Sequence, residues 1–200
     1  GEMTVPTTTI IDQTIPQKTL NQLKGLIGQQ LVACCHDRLL YNPISYRGTE
    51  VQIGAERWLI VTELETIDYL GSREEVSRLF AFDLTADEAN DLDGAFDVRM
   101  TIGKPINDIV AVTDIVKYYD HETLTWESRH TQALAFLTDG KQIALERADR
   151  FEEGVAVLQS PNVLDRLTPL SNELFETSPG CRLEGTRILT SLTEEQRALD

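Results

Sequence analysis

Several stretches of this sequence combine residue types that could carry chemistry, and the first is Cys34-Cys35-His36-Asp37. A thiol near an imidazole and a carboxylate supplies the groups of an activated nucleophile. In a strand, however, Cys35 and His36 point to opposite faces, and Cys34 and His36 on one face are about 6–7 Å apart. Buried cysteines are common and chemically inert. The pattern therefore favours structural thiols over a catalytic site.

Two histidines form the second candidate. Asp120-His121-Glu122 and, further on, His130 bring carboxylates and imidazoles into one region of the chain, and such side chains bind divalent metals. The spacing of nine residues between the histidines matches no common metal-binding motif. We interpret both as exposed residues at hairpin ends, and we expect neither a metal nor a cofactor.

An acidic stretch, DEANDLDGAFD at residues 87–97, is the third candidate. If its glycine takes position 6 of a calcium-binding loop, Asp91 and Asp93 fall at positions 3 and 5. Positions 1 and 12 then fall on Ala89 and Met100, which are not ligands. The stretch therefore predicts a solvated acidic connection instead of a calcium site.

Aromatic residues form the fourth candidate set. On strands such residues belong first of all to the core, although in a closed barrel some could line a ligand cavity. The residues concerned are Trp58, Phe80, Phe82, Tyr118, Tyr119, Trp126 and Phe136.

The charge of the chain limits its partners. It carries 33 acidic and 18 basic side chains, a net charge of −15. Direct nucleic-acid binding is disfavoured because Lys and Arg supply the affinity for phosphates, and no apolar run is long enough to cross a membrane. An acidic surface suits a protein partner with a basic patch. We expect the contact in the acidic connection, at Asp87, Glu88, Asp91 and Asp93.

Common catalytic motifs are missing from the sequence. It contains no phosphate-binding or dinucleotide-binding glycine loop, no Gly-x-Ser-x-Gly elbow, no Cys-x-x-Cys pair and no His-Glu-x-x-His helix. The leading prediction is therefore a non-enzymatic acidic binding protein. The alternatives are a small-molecule-binding β-barrel, an enzyme of a minor class, and a homo-oligomer whose edge strands pair.

Hydrophobic periodicity predicts the elements that must position these residues. A strand is predicted over residues 7–11, and a helix begins at Pro16 and ends near Gly28. Thr85 and Glu88 form a capping-box pattern that starts a short helix, and further helices are predicted over residues 161–167 and from residue 193. Asp-Gly at residues 139–140 predicts a type I′ hairpin. Strands are predicted over residues 31–36, 39–41, 49–53, 58–62, 66–70, 76–84, 95–102, 109–119, 122–126, 131–137, 141–146, 154–159 and 183–189.

Together these elements predict an α+β fold that is predominantly antiparallel β. Residues 1–28 form an N-terminal arm and helix, residues 29–94 a first β-meander half, and residues 95–200 a second half with short C-terminal helices. The halves align weakly as an internal repeat, and either a sandwich or small barrels fit the strand lengths. Three cysteines, two of them adjacent, do not make a disulfide framework. This cysteine content favours a cytoplasmic protein.

Overall fold

The computed structural model describes residues 7–37 and 44–194 and confirms an α+β fold that is predominantly antiparallel β. The α-helices are α1 (Gln17–Lys24) and α2 (Ala86–Asp91), and 3-10 helices span Val163–Arg166 and Leu170–Glu173. The strands are, in chain order, β1 (Thr9–Gln13), β2 (Gln30–His36), β3 (Ile44–Ser45), β4 (Thr49–Ile53), β5 (Glu56–Tyr69), β6 (Ser72–Asp83), β7 (Val98–Pro105), β8 (Asp108–Asp120), β9 (Thr123–Leu137), β10 (Gln142–Arg147), β11 (Val155–Ser160) and β12 (Cys181–Ser191). Within the described residues, no helix is both long and apolar enough to cross a membrane.

The strands form two sheets. A five-stranded sheet has the order β6-β5-β4-β2-β7, and a seven-stranded sheet has the order β12-β8-β9-β10-β11-β3. The seventh strand, β1, runs parallel to β9 and pairs with its first half, whereas β10 pairs antiparallel with its second half. The halves predicted from the sequence exchange strands, because β7 joins the sheet of the first half and β3 joins that of the second.

One apolar core lies between the two sheets. Trp58 and Ile60 of β5 pack in the same cluster as Leu134 and Phe136 of β9, so the sheets form a sandwich. Helix α1 adds Leu23 to this core. The opposite face of the seven-stranded sheet is covered by the segment after β11, which contributes Val163 and Leu167 to a second apolar cluster.

Several predicted elements differ from those in the structure. The strands predicted over residues 58–62 and 66–70 are parts of the single strand β5, which ends at Tyr69, and those predicted over 122–126 and 131–137 are parts of β9, which begins at Thr123. The polar residues 127–130 interrupt the apolar pattern, which made one strand resemble two, and a bulge at Gln132 further shifts the alternation along β9. The helix predicted over residues 161–167 is a shorter 3-10 helix, Val163–Arg166. The predicted strand 39–41 lies outside the described residues, as does the terminal helix beyond residue 194.

The predicted type I′ turn at Asp139-Gly140 is wrong. Four residues separate β9 from β10, and only Gly140, at φ +106°, has a positive φ. The two-residue hairpin between β5 and β6 has positive φ at both positions, Leu70 (+52°) and Gly71 (+92°), as a type I′ turn requires. A leucine at the first position gives no sequence signal for that turn.

Candidate functional site

The four predicted acidic residues lie on α2 and in the loop that follows it, and all four are exposed. The capping box predicted from the sequence is present. The Thr85 hydroxyl accepts a hydrogen bond from the Glu88 backbone N–H (3.2 Å), and the Glu88 carboxylate accepts one from the Thr85 N–H (3.0 Å). These bonds lower the pKa of Glu88. Glu88 therefore helps to start the helix, in addition to any role at the surface.

Asp93 anchors the loop after α2 to the five-stranded sheet. Its carboxylate lies 2.7 Å from an Arg57 guanidinium nitrogen, and the same guanidinium makes two hydrogen bonds to the buried Glu50. The bonds to Glu50 and Asp93 raise the pKa of Arg57. Two of the predicted acids thus have structural partners, which leaves Asp87 and Asp91 as exposed carboxylates of this segment for an incoming partner.

A hollow of about 290 Å³ lies beside α2, and two acidic side chains line it. Glu56 and Asp83 both line this hollow. Partial burial raises the pKa of Glu56, and the nearby Asp83 carboxylate raises it further. Glu56 and Asp83 therefore add two carboxylates beside α2, next to Arg57, which also lines the hollow.

An apolar patch borders the acidic segment on the outer face of the five-stranded sheet. We call it the Phe82 patch, and it consists of Leu59, Val61, Phe80 and Phe82. The Phe80 and Phe82 rings stack 5.6 Å apart, and Phe82 is 42% exposed. Leu59 pairs with Phe82 across the strands and is two residues from Arg57, which holds Asp93. Exposed apolar area with a charged border is typical of a protein-binding surface.

The sequence prediction that the aromatic residues fill the core is wrong for Phe80, Phe82, Tyr118 and Tyr119, which are all at least partly exposed. Trp58, Trp126 and Phe136 are buried as expected. Along β6, Leu79 and Ala81 face the core, so the alternating phenylalanines face outwards. Both faces of this strand are apolar, and periodicity alone does not show which one is covered.

The two cysteines of the cysteine stretch are buried, which agrees with their interpretation as structural thiols. Cys34 lies in the core, and burial raises the pKa of its thiol. The pKa of Cys35 is also raised, first by burial and then by the Glu50 carboxylate. The His36 Nδ1 lies 2.7 Å from the Asp37 backbone carbonyl oxygen. Thiols with raised pKa values are poor nucleophiles at neutral pH.

The two candidate histidines do not share a site. His121 is exposed at the β8–β9 turn, 2.8 Å from the Asp120 carboxylate. His130 lies opposite Asp114, six residues along β8 from Asp120, which separates the two imidazoles by about 20 Å. His130 is buried, so the expectation that it is exposed is wrong. Among residues 7–37 and 44–194, no group of three His, Cys, Asp or Glu side chains could hold a metal ion.

His130 belongs instead to a buried cluster of charged and polar side chains that the sequence reasoning missed. An Arg147 guanidinium nitrogen lies 3.0 Å from His130 Nε2, and Arg187 holds Asp114 with two hydrogen bonds. Glu146 accepts hydrogen bonds from the backbone and hydroxyl of Thr168. These residues come from four strands and a loop, so no local sequence motif predicts the cluster. Buried networks of this kind are often structural.

A polar cleft of about 570 Å³ lies along β1 and the start of α1. At one end, the Asp12 carboxylate accepts two hydrogen bonds from Thr14, and Arg78 donates one to the Thr14 backbone carbonyl. Burial alone would raise the pKa of Asp12, but the Thr14 bonds and the charge of Arg78 lower it. Further polar lining comes from Thr113 and Thr131. The cleft therefore holds a carboxylate and a guanidinium near several hydroxyl groups.

Comparison with protein-family models, curated proteins and solved structures finds no match to this chain.

Proposed function

We propose that this chain is a non-enzymatic binding protein that docks a partner with a basic, partly apolar surface. The observation that carries the proposal is that the Phe82 patch lies close to the acidic segment, because Arg57, two residues before Leu59 of the patch, forms an ion pair with Asp93. Phe82 would supply apolar burial at the centre of the interface. Asp87 and Asp91 would steer the approach of the partner and orient it. The proposed setting is the cytoplasm, since Cys34, Cys35 and Cys181 are all free thiols.

A capture experiment tests this function with variants that leave the fold intact. The immobilised protein is exposed to an extract of its source, and bound proteins are quantified by mass spectrometry. We expect a specific partner to be lost with Phe82→Ser and weakened with Asp87→Asn/Asp91→Asn. Ile10→Ser and Glu152→Gln/Glu153→Gln alter exposed residues outside this surface and serve as matched controls. Capture that is equal for all variants would contradict the proposal.

Association kinetics with the captured partner then test whether Asp87 and Asp91 steer its approach. The Debye length falls from about 10 Å at 0.1 M salt to about 3 Å at 1 M. We therefore expect the association rate to fall several-fold with salt. Asp87→Asn/Asp91→Asn should associate slowly even at low salt and respond less to added salt. An association rate independent of salt would contradict a role for the acidic segment.

The polar cleft favours a second candidate function, the binding of a small zwitterionic molecule such as a free amino acid. Asp12 would bind the ammonium group, and Arg78 with Thr131 would bind the carboxylate. Calorimetric titration with a panel of amino acids tests this candidate. Asp12→Asn should abolish any binding observed, whereas Asp139→Asn, outside the cleft, should not. Heat changes that are the same for both variants would exclude this candidate.

A further inference from the structure

The last strand, β12, forms one edge of the seven-stranded sheet. All eleven of its residues, Cys181–Ser191, pair with β8 in an unbroken antiparallel register. On its other side, β12 has no partner strand among residues 7–37 and 44–194. A long edge with open backbone N–H and C=O groups is a template for another strand.

Two of the usual devices that protect a sheet edge, a lysine or proline and a bulge, are missing from this strand, although Leu170 and Leu174 pack close to Gly185 on one of its faces. The sequence CRLEGTRILTS contains neither lysine nor proline, and its register with β8 has no bulge. The charged side chains of β12 have partners within the chain. Arg187 binds Asp114, and Arg182 lies 3.3 Å from Glu184. Ile188 and Leu189 are 43% and 52% exposed, although both are large and apolar. An edge of this kind is suited to pairing.

We propose that β12 pairs antiparallel with β12 of a second copy of this chain, around a two-fold axis at Thr186. Strands that pair across such an axis bring together residues equally far from it on either side, with their side chains on the same face. Thr186 is the central residue of Cys181–Ser191. The Cys181 N–H and C=O already form hydrogen bonds with Ser178 and Thr177, so this register pairs the nine residues Arg182–Thr190. The pairs are Thr186 with Thr186, Gly185 with Arg187, Glu184 with Ile188, Leu183 with Leu189 and Arg182 with Thr190.

The side chains of β12 select this register over its neighbours. An axis at Glu184 would place two carboxylates directly opposite each other, and cross-strand pairs of like charge are destabilising. An axis at Gly185 would leave fewer residues paired. An axis at Thr186 places Leu183 opposite Leu189 twice and sets no two like charges opposite each other. A two-fold axis also closes the assembly, so the product is a dimer and not a fibre.

The register is tested by moving a charge and then compensating for it. Ile188→Glu places a carboxylate opposite Glu184 of the second copy, so we expect the dimer to dissociate at least tenfold more readily. Adding Glu184→Lys places opposite charges at these positions and should restore the dimer. Within one chain the two positions are about 13 Å apart along the strand, so the rescue cannot arise inside a monomer. Analytical ultracentrifugation over a concentration series measures the association, and circular dichroism confirms that each variant is folded.

Disulfide trapping gives an independent measurement, in a Cys181→Ser background. Thr186→Cys should form a cross-linked dimer on mild oxidation, because paired Cα atoms lie within the range that a disulfide spans. Glu184→Cys is the matched control, since the two copies of residue 184 lie about 13 Å apart in this register. A wild-type protein that stays monomeric at every concentration would overturn the proposal. A dimer that resists Ile188→Glu, or that cross-links through residue 184 and not residue 186, would overturn it as well.

Discussion

Asp114 on β8 and Arg187 on β12 form an ion pair with two parallel hydrogen bonds, at 2.7 and 2.9 Å. The two residues face each other directly in the strand register. The Asp114 side chain is completely buried, whereas the Arg187 side chain is partly exposed. The pair fixes the edge strand to the sheet. A charged carboxylate is costly to bury, and the Arg187 guanidinium compensates that cost for Asp114.

Removal of the arginine alone should therefore destabilise the protein strongly. We expect Arg187→Met to lower the free energy of unfolding by about 3 kcal/mol, because Asp114 is left buried with its charge poorly compensated. The double variant Asp114→Leu/Arg187→Met should be more stable than Arg187→Met, since it removes both charges. Urea denaturation at one protein concentration measures both values. A double variant less stable than Arg187→Met would show that the ion pair is not the source of the loss.

His130 should make the stability of the protein fall as the pH is lowered below about 7. Burial lowers the pKa of His130 well below its usual value, and the Arg147 and Arg150 charges lower it further. His130 Nε2 lies 3.0 Å from an Arg147 guanidinium nitrogen, which cannot accept a hydrogen bond, and 3.2 Å from the Gln132 side-chain oxygen. The lowered pKa of His130 favours the neutral imidazole. Asp114, 3.8 Å away, is the nearby carboxylate, and Arg187 compensates its charge.

The direction of the pH effect follows from proton binding. Below the unfolded-state pKa of about 6.5, the unfolded chain binds a proton at residue 130 that the folded protein does not bind. The contribution of His130 to the free energy of unfolding is therefore fully present above that pH. It is lost as the pH falls, by at most about 1.4 kcal/mol per pH unit. His130→Gln should flatten this dependence, whereas the exposed control His121→Gln should leave it unchanged. Equal slopes for both variants in thermal or urea unfolding would contradict the assignment to His130.

The turn between β5 and β6 contains a residue that is unfavourable in its backbone conformation. Leu70 has φ +52°, a left-handed conformation that costs a side-chain-bearing residue about 1–2 kcal/mol, whereas asparagine adopts it more readily. Leu70→Asn should therefore raise the free energy of unfolding by about 1 kcal/mol. Leu64→Asn is the matched control, because Leu64 on β5 is similarly exposed but is not at a positive φ. A loss of stability at residue 70 as large as that at residue 64 would contradict a conformational origin.

Local signals in the sequence predicted the starts of helices well, although the local signal at Asp139-Gly140 predicted the wrong turn type. Pro16 before a periodic apolar pattern indicated the start of α1, and Thr85 with Glu88 indicated the capping box, because each depends on residues within one helical turn. The predominance of antiparallel strands followed from short apolar runs separated by turn residues. These features need no knowledge of distant parts of the chain.

Features that depend on distant residues were not predictable from the sequence. The parallel pairing of β1 with β9 joins residues more than 110 positions apart. Neither strand contains a sequence signal that identifies its partner. The exposure of Phe82 depends on which face of β6 meets the second sheet, and both faces are apolar. The buried cluster around His130 is assembled from single residues on several strands, so its members looked like separate surface charges.

The three thiols should differ clearly in reactivity. Cys34 and Cys35 are buried and burial raises the pKa of both, whereas Cys181 is partly exposed near the end of β12. Since the thiolate is the reactive form, a thiol reagent should modify about one cysteine per native chain and all three after denaturation. Cys181→Ser should remove the reaction of the native protein, and Cys34→Ala should leave it unchanged. Rapid modification of two cysteines in the native Cys181→Ser variant would show that Cys34-Cys35 is accessible and would reopen a chemical role for it.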